Sequence, residues 1–407
     1  MSAINSIIDR AYKRFVPTEV DFSTVDKAAT YIQKYVSDMI GLRRIDARAV
    51  FGGSYAKSTW VKGESDIDLF VVFKSESDIK KLKGLVPKNF SEARGTRRYF
   101  RGKVNGIVTE VVPLLAFSDK GLVENSVDFS ILHAEYINAK LNDALRKDVI
   151  LLKQFCKANG CYGSETYVHG FSGYALELLI IKYGGIKELF EEVQKWVPGL
   201  EIIQGNGGKR PNVAVGTEKP VLFLSDPTNP KRNICASLSK ENFSKFVFAV
   251  KSFLLEPTSE FFNSVDKEKA LMARAKSRGT ILFVNKTRVI EPRDRFLSKY
   301  NKNLVKLVQD LRSMEINVYS SDVAYQERFA VLFLEIKSHP LSKSVQKEGP
   351  TVWIDAKDLK NFLHAHKSAY VVGERVVYDK SHGISDFNKF ILTKLKEYMS
   401  VNAIEKS

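Results

Sequence analysis

The first forty residues alternate apolar and polar positions with the period of an α-helix. Two sets of apolar side chains recur every three or four residues: Ile4, Ile7, Ile8, Ala11, Tyr12 and Phe15, then Val25, Ala29, Ile32, Val36 and Ile40. This spacing places each set on one face of a helix, where it can pack against a core. The pattern predicts two amphipathic helices ahead of the first strand.

Shorter apolar runs bounded by turn residues follow. One leads into Gly52-Gly53, the second is DIDLFVVF at residues 66–73, and the third is VNGIVTEVV at residues 104–112, bent at Asn105-Gly106. Runs of this length with such boundaries predict strands, and Asn-Gly predicts a hairpin. The charged segment SESDIKKLKG, between the second and third runs, predicts a helix.

Helical periodicity dominates residues 129–182, with Gly160 and Gly184 near the expected helix ends. VLFLSDPTNPKRN predicts a strand and turn, residues 239–255 a helix, and the chain beyond Pro257 a strand-helix-strand pattern followed by a basic tail. We therefore predict an α+β multidomain fold, in which strands and helices are followed by a helical central domain, a small α/β domain and a tail. The predicted boundaries are 1–128, 129–256, 257–338 and 339–407.

Charge and cysteine content narrow the function class. The 407-residue chain carries a formal net charge of +16, which favours a polyanionic partner, with nucleic acid ahead of an acidic membrane surface. The sequence predicts no transmembrane segment and no signal peptide, so we expect a cytoplasmic protein. Cys156, Cys161 and Cys235 form no C-x-x-C pair, and we expect reduced core residues rather than disulfides or a zinc site.

Three acidic residues lie in runs that are otherwise apolar. Asp66 and Asp68 are two residues apart on a predicted strand, so their side chains project from one face and repel each other unless a cation lies between them. Glu110 stands alone in IVTEVVP, where a buried carboxylate also needs a cation or donors. If their strands are neighbours, the three carboxylates converge as oxygen ligands for two Mg²⁺ ions.

Gly53-Ser54 precedes these acids and is predicted to open a helix. Unpaired N–H groups at a helix start favour phosphate, and glycine lets the backbone approach it closely. The combined pattern indicates nucleotidyl transfer. Taken separately, each feature also fits an ordinary role: a turn for GGS, a solvated face for D-x-D and a strand edge facing water for Glu110.

These residues carry a family resemblance. GGSYAKSTWVKGESDIDLFVVF resembles the signature of the polymerase-β-like nucleotidyltransferases, and specifically of the archaeal-type (class I) CCA-adding enzymes, which are tRNA nucleotidyltransferases. Further similar stretches are VTEVVPLL, NSVDFSILHAEYI, LLKQFCKANGCYGSE, VHGFSGYALELLIIKYG and DPTNPKRNICASLS. The resemblance implies a nucleotidyltransferase head at 1–128 with a mixed sheet flanked by helices, a nucleotide-recognising neck at 129–256, a body at 257–338 and a tRNA-binding tail at 339–407.

The resemblance also implies roles for individual residues. Asp66, Asp68 and Glu110 match the metal-binding carboxylates, although the family more often has Asp at the third position. The expected nucleotide-binding positions are Gly53, Ser54, Lys57, Ser130, His133, Lys153, Tyr162 and Arg232. Lys57 replaces an arginine, which keeps the charge and loses bidentate phosphate geometry. Without the resemblance, His133, Lys153 and Tyr162 could each be structural.

Arg232 matches the residue implicated in choosing the base. C and A both offer a ring-nitrogen acceptor beside an amino donor, whereas U and G offer a carbonyl beside a ring N–H. Arginine supplies donors only, so it can pair with the ring nitrogen while an RNA phosphate oxygen accepts from the amino group. The alternative is that Arg232 merely holds phosphate.

Two basic segments are candidates for binding tRNA. Residues 80–103 carry nine Lys or Arg against a single acid, Glu92, with Phe90, Tyr99 and Phe100 interleaved. The tail includes Lys343, Lys347, Lys357 and Lys360. Both segments also fit ordinary solvated faces, but beside such a site they could track an RNA backbone.

The resemblance thus implies an enzyme that adds C, C and A to the tRNA 3′ end from CTP and ATP, with Mg²⁺ and without a nucleic-acid template. Alternatives are a poly(A) polymerase, an oligoadenylate synthetase-like enzyme, or an inactive RNA-binding relative. The sequence predicts no membrane association and no obligatory protein partner, and leaves a homodimer open.

Overall fold

The structure is a computed structural model that describes residues 2–94, 98–116, 129–165, 167–203, 220–264, 266–289, 293–326, 329–337, 344–381, 386–399 and 405–406. Its contacts divide the chain into two compact units, Met1–Ser264 and Val265–Ser407. The division into four domains remains a prediction.

The two predicted N-terminal helices are confirmed as α1 (Ser2–Phe15) and α2 (Glu19–Leu42). A capping box fixes the start of α2, because Thr18 and Asp21 satisfy each other's backbone N–H groups. The helices join different cores. The apolar face of α2 packs under the first sheet, whereas that of α1 packs with the helices that follow residue 129.

The first sheet has five strands in the order β1-β2-β5-β4-β3. The strands are β1 (Ala47–Gly52), β2 (Asp66–Phe73), β3 (Ser91–Arg94), β4 (Arg98–Val104) and β5 (Ile107–Leu115). Strand β2 runs parallel to β5 and the other neighbours are antiparallel, so the sheet is mixed as predicted.

The predicted hairpin joins β4 to β5. Asn105 and Gly106 have φ values of 49° and 83°, the left-handed conformation that a two-residue hairpin turn requires. The segment predicted as a helix before β3 is a 3₁₀ helix, Glu76–Gly84.

Helices dominate the rest of this unit, as predicted. They are α3 (Ser130–Lys140), α4 (Asp143–Ala158), α5 (Gly173–Tyr183), α6 (Ile186–Val193) and α7 (Lys240–Leu255). A small sheet accompanies them, formed by β6 (Leu200–Ile202), β7 (Leu222–Asp226) and β8 (Asn229–Asn233). Gly184 ends α5 in the left-handed conformation, with φ 85°. The three cysteines are free and buried, as expected.

The described residues of the second unit form two sheets. Its first sheet has the order β10-β11-β9-β15 and its second the order β12-β14-β13. The strands are β9 (Ile281–Arg288), β10 (Val318–Gln326), β11 (Phe329–Ile336), β12 (Ser344–Thr351), β13 (Tyr370–Val372), β14 (Arg375–Ser381) and β15 (Glu405–Lys406). The helices are α8 (Lys267–Arg278), α9 (Arg293–Ser313), α10 (Ala356–Ala365) and α11 (Phe387–Met399).

The main hydrophobic core of this unit contains residues from before and after position 338. Leu307 of α9 and Leu332 of β11 are buried in the same cluster as Ile391 and Leu395 of α11. Within the described ranges, none of the helices combines the length and apolar content that crossing a bilayer requires.

Candidate active site

Asp66, Asp68 and Glu110 lie on adjacent strands of the first sheet. Strands β2 and β5 are parallel neighbours, with Asp68 directly opposite Glu110 and Asp66 opposite Val108. Residues in register on neighbouring strands, and residues two apart on one strand, project from the same face. The expectation that the two acidic strands are neighbours is confirmed, and the three carboxylates share one face.

Gly53 forms the turn beside these acids. Strand β1 ends at Gly52, which pairs with Asp68, and Gly53 follows with φ 61°. A Cβ atom at Gly53 would lie 1.7 Å from Oδ2 of Asp68. Glycine is therefore required by both conformation and space, because the backbone passes directly against the carboxylate.

The prediction that Gly53-Ser54 opens a helix is wrong. Residues 53–58 form consecutive turns, in which Ala56 N–H donates to Gly52 O and Thr59 N–H donates to Ser54 O. The segment is too short and irregular to carry an aligned helix dipole. Any affinity of this turn for phosphate must come from nearby side chains and local N–H groups.

Asp66 and Asp68 repel each other when both are ionised. Burial raises the pKa of Asp68 to about 6, and the charge of Asp66 adds to the rise against the opposing charges of Lys57 and Arg101. Burial also raises the pKa of Asp66, opposed by Arg101 and Lys157. A carboxyl group raised in this way gains most from a bound cation.

Glu110 is half-buried and has a basic neighbour. Its Oε1 lies 3.4 Å from Nε of Arg101, the residue opposite it on β4. No three His, Cys, Asp or Glu side chains in the described ranges are grouped closely enough to hold a metal ion as they stand. The donor set nevertheless fits a hard divalent ion, because three carboxylates share one face and the most buried of them is unfavourably charged.

A second cluster lies behind the turn, centred on Glu177 of α5. We call it the Glu177 cluster, and it comprises Lys57, Thr59, Lys153 and Glu177. Glu177 accepts from Lys57 Nζ at 2.6 Å, Lys153 Nζ at 2.8 Å and Thr59 Oγ1 at 2.7 Å. Lys153 also donates to Thr59 O at 3.0 Å and to Thr59 Oγ1 at 2.9 Å. All four residues are buried.

The two lysines control the ionisation of Glu177. Burial raises the pKa of Glu177, but the charges and hydrogen bonds of Lys153 and Lys57 outweigh it and lower the pKa to about 2. Burial lowers the pKa of Lys153 to about 8, opposed by Glu177 and assisted by the nearby Lys57. The Glu177 carboxylate is therefore stabilised as an anion by the donors that surround it.

A third cluster is centred on Asp226, at the end of β7. We call it the Asp226 cluster, and it comprises His133, Tyr174, Asp226, Thr228 and Arg232. Asp226 is fully buried and lies 3.0 Å from His133 Nε2, 3.2 Å from Tyr174 Oη and 2.7 Å from Thr228 Oγ1. The imidazole stacks on the Tyr174 ring at a centroid distance of 3.8 Å.

The surroundings of His133 in the Asp226 cluster favour its neutral form. Burial lowers the pKa of His133, and the charges of Arg232 and Lys57 lower it further against the opposing Asp226. Burial raises the pKa of Asp226, but hydrogen bonds from His133 and Thr228 outweigh it and the net shift is downward. The structure therefore favours neutral His133 donating its Nε2–H to an ionised Asp226.

Arg232 lies at the edge of the Asp226 cluster. Its Nη1 is 3.6 Å from Oδ2 of Asp226, and its guanidinium lies 5.6 Å from the centre of the Phe129 ring. Nη1 is buried and has no hydrogen-bond partner among the described residues. The guanidinium thus retains donor capacity that a ligand could use.

The remaining predicted positions surround these clusters. Ser54 lies in the turn and Ser130 is the first residue of α3, and both are half-buried. Tyr162 packs at the start of α5 beside Gly173, with Lys157 Nζ 4.9 Å from its ring centre. The roles of all these side chains in binding nucleotide remain predictions.

Glu177, Asp226, Thr59 and Tyr174 were missed from the sequence. Glu177 sits in the apolar helix GYALELLIIKY and Asp226 ends the apolar strand LFLSD. A buried acid without partners is costly, and that argument drew attention to Glu110. Applied to every acid within an apolar run, it would also have found Glu177 and Asp226.

Comparisons with known proteins cover most of the chain. Residues 14–133 match the nucleotidyltransferase domain family, residues 147–263 match the family described as tRNA nucleotidyltransferase, second domain, and residues 278–401 match that described as CCA-adding enzyme, C-terminal domain. The CCA-adding enzyme of Methanothermobacter thermautotrophicus is 33% identical over 352 residues, covering 82% of this chain and 76% of that protein. That of Thermococcus gammatolerans is 29% identical over 402 residues, covering 93% and 86%.

Solved structures share the fold at low identity. A cytoplasmic RNA terminal U-transferase aligns with a TM-score of 0.50 at 13% identity, over 65% of this chain and 99% of that one. A poly(U) polymerase aligns with a TM-score of 0.50 at 15% identity, over 65% and 100%. These likenesses establish a nucleotidyltransferase fold.

Proposed function

Because the chain belongs to the CCA-adding enzyme family, and so to the nucleotidyltransferases, we propose that it adds C, C and A in turn to the 3′ end of tRNA. CTP and ATP are the proposed substrates, and no nucleic-acid template is used. The tRNA 3′-hydroxyl attacks the α-phosphate of the nucleotide, a new phosphodiester bond forms, and pyrophosphate leaves.

One observation carries the proposal: Asp68 lies in register with Glu110, with Asp66 two residues away on the same face and Gly53 against the Asp68 carboxylate. This arrangement puts three oxygen donors beside a turn whose backbone a phosphate can approach. Positioning and charge stabilisation supply most of the catalysis in phosphoryl transfer, so such a surface suits the reaction.

Asp66, Asp68 and Glu110 are proposed to hold two Mg²⁺ ions, which would neutralise the triphosphate and lower the pKa of the attacking hydroxyl. We propose that the triphosphate binds to the turn after β1, at Gly53, Ser54 and Lys57. Ser130, His133, Lys153 and Tyr162 are proposed to line the same nucleotide site.

Arg232 is proposed to read the base. Its position at the edge of the Asp226 cluster supports this role, because Nη1 keeps an unused donor while Asp226 holds the guanidinium loosely at 3.6 Å. The ring nitrogen of C or A would accept from Arg232. U and G would place a ring N–H against that donor, and a site left with unpaired groups discriminates strongly.

The basic residues near the acids are proposed to contact the RNA backbone. Arg101 is exposed beside Glu110, and Lys103 follows it on β4. Arg97 of the same basic segment lies outside the described residues, as does Lys343 of the tail. Phosphate contacts of this kind make affinity depend steeply on salt.

In the second unit, a proposed tRNA surface lies on α10. This helix has no buried residue, it carries Lys357 and Lys360, and the nearby Trp353 is exposed. A charged helix with an exposed aromatic side chain suits contact with a folded RNA. Lys347, also expected in this surface, donates to Ser313 O at 3.0 Å.

The direct test incubates tRNA lacking its terminal C, C and A with labelled CTP and ATP and sequences the product ends. We expect C, C and A in that order, with release of one pyrophosphate per addition. Long runs of A without C would instead identify a poly(A) polymerase. Binding of tRNA without any incorporation would identify an inactive RNA-binding relative.

A further inference from the structure

The two faces of the sheet β10-β11-β9-β15 are covered differently. On one face, Leu332 and Leu334 are buried against α9 and α11. On the other face, Leu282 and Phe333 are buried with Ala275 of α8. We call this second face the α8 face, and on β9 and β11 it comprises the alternate residues from Leu282 to Arg288 and from Phe329 to Glu335.

An aromatic side chain and two cations lie together at one end of the α8 face. Phe329 begins β11 and lies opposite Arg288 of β9, and Lys286 is two residues from Arg288 on the same face. Nζ of Lys286 is 4.8 Å from the centre of the Phe329 ring. Phe329 is 39% exposed, and both cations are exposed.

A second cation and aromatic ring lie near the other end of the same face. Glu335 is six residues beyond Phe329 on β11, which is about 20 Å along the strand. Beside it, the guanidinium of Arg278, the last residue of α8, is 5.7 Å from the centre of the Tyr319 ring. Tyr319 is 50% exposed and the Arg278 side chain 43%.

Glu335 holds Arg278 in place. Nη1 of Arg278 donates to Oε2 and Oε1 of Glu335 at 3.0 and 3.1 Å. The hydroxyls of Thr280 and Ser320 also donate to this fully buried carboxylate, at 2.7 and 2.8 Å. A guanidinium has five N–H donors, and among the described residues only Nη1 of Arg278 is hydrogen-bonded. Nε and Nη2 therefore keep donors for a ligand.

The charges of the α8 face favour an anionic partner. Arg278, Lys286 and Arg288 are cationic. Among the strand side chains described on this face, the acids are Glu335, which Arg278 neutralises, and Asp322 of β10. Cations interleaved with exposed rings are typical of surfaces that bind single-stranded nucleic acid, because phosphates pair with the cations while bases stack on the rings. A paired duplex would leave the rings unused.

We propose that the α8 face binds unpaired nucleotides of an RNA. One base stacks on Phe329, with Lys286 and Arg288 contacting the adjacent phosphates. Another stacks on the Arg278–Tyr319 pair, since bases stack on guanidinium planes as well as on aromatic rings. Glu335 is a positioning residue that acts through Arg278. The proposal rests on the proposed function in that the RNA is the tRNA substrate.

Binding of two RNAs to the full-length protein tests the surface. The probes are tRNA lacking its terminal C, C and A and a single-stranded RNA of about 12 nucleotides, a length that single-strand-binding folds can cover. Phe329→Leu removes the ring and no charge. Affinity for both probes should fall about fivefold or more, while the slope of log affinity against log salt stays the same.

Lys286→Gln removes one charge, so its salt slope should become shallower by about one. Lys299→Gln is the matched control, because Lys299 is exposed on α9, which packs on the opposite face of the sheet. It should leave affinity and slope unchanged. Equal shifts in the two lysine variants would show a general effect of charge and overturn the proposal.

A double-mutant cycle tests the role of Glu335. Arg278→Gln should weaken binding of the single-stranded RNA roughly tenfold or more, because hydrogen bonds to a charged group are lost. Glu335→Gln should weaken it when Arg278 is present and cause no further loss in the Arg278→Gln background. Equal losses in both backgrounds would overturn the positioning role. The Phe329 and Lys286 variants change exposed side chains and test the surface even if a Glu335 variant fails to fold.

The failure of this proposal can be told apart from failure of the proposed function. CMP incorporation by the unmodified protein is measured first, and its absence would overturn the proposed function. Binding of the single-stranded RNA that Phe329→Leu weakens would then still support the α8 face. In an active enzyme, unchanged affinity of Phe329→Leu and Lys286→Gln for both probes would overturn the proposal alone.

Discussion

Two groups of acidic side chains in the first unit differ in what surrounds them. Glu177 and Asp226, among the helices, each accept several hydrogen bonds, and both have a lowered pKa. Asp66 and Asp68, on the sheet, lie beside each other, and both have a raised pKa. Acidic side chains are therefore stabilised as anions in the Glu177 and Asp226 clusters and destabilised as anions on the sheet.

The difference distinguishes acids that hold the structure together from acids that are available to a bound cation. Acids surrounded by donors hold neighbouring side chains in fixed positions before any ligand arrives. Acids crowded on one face keep an affinity for cations that the protein itself does not satisfy. A nucleotidyltransferase needs both, because the triphosphate must be positioned and its charge must be neutralised.

The largest effect should come from removing the central crowded acid. Asp68→Ala should lower incorporation about 10²–10³-fold or more, because it removes charge aimed at the reacting groups. Affinity for tRNA should stay near normal, since phosphate contacts elsewhere dominate it. Single-turnover incorporation and filter binding measure the two quantities. Asp46→Ala, at an exposed pair with Lys74, is the control and should be silent.

A folded Asp68→Ala variant with normal incorporation would remove Asp68 from the reaction. An unfolded variant would show that the carboxylate is structural. Either result would abolish the distinction drawn between the two groups of acids.

Removing a donor-surrounded acid should act on stability instead. Glu177→Ala leaves two lysines buried without their partner, and breaking a buried ion pair typically costs about 3–5 kcal/mol. Glu192→Ala, in an exposed pair with Lys195, should leave the free energy of unfolding nearly unchanged. Urea unfolding followed by fluorescence of the buried Trp60 and Trp196 measures both in this unit. Equal losses in the two variants would contradict the structural role of the Glu177 cluster.

Replacing Arg232, at the edge of the Asp226 cluster, tests its proposed role in reading the base. Arg232→Ala should reduce discrimination of CTP and ATP against UTP by about tenfold or more, because the donor for the ring nitrogen is lost. Stability should change little, since Asp226 keeps its bonds from His133, Tyr174 and Thr228. Competition assays with mixed nucleotides measure the ratio, with the exposed Arg10→Ala as control. An unchanged ratio would leave Arg232 as a phosphate contact only.

The smallest effect should appear in the pH dependence of stability without divalent ions. The pKa of Asp68 is raised to about 6, so its protonated form favours the folded state, and unmodified protein should gain stability relative to Asp68→Asn as pH falls from 7 to 4. The pKa of Glu177 is lowered to about 2, so its contribution is present above the unfolded value and is lost only as pH falls from about 4.5 toward 2.

Urea unfolding at pH 7, 6, 5 and 4 measures both differences. The difference in unfolding free energy between the unmodified protein and Glu177→Gln should stay nearly constant from pH 7 to 5. The corresponding difference for Asp68→Asn should change over the same range. Parallel behaviour of the two differences would mean that the two acids lie in similar environments.

Local patterns predicted most elements because they depend on neighbours in the chain. The spacing of Val25, Ala29 and Ile32 defined α2, and Asn105-Gly106 defined the turn of the β4–β5 hairpin. The acids of the sheet were recognisable because Asp66, Asp68 and Glu110 interrupt apolar runs. The prediction of a helix at Gly53 was wrong: Gly53 has φ 61° and its backbone lies against the Asp68 carboxylate, a contact between distant parts of the chain that a local pattern does not contain.

What the sequence by itself determined is the set of elements, the family and the identity of the acids on the sheet, because periodicity and motif spacing are properties of the chain. Only the tertiary structure decided which strand faces Glu110 and which carboxylates find donors. Glu177 lies 118 residues from Thr59 and 120 from Lys57. Contacts over such separations arise from the packing of α4 and α5 against the turn, and that packing decides which side chains remain available to a ligand.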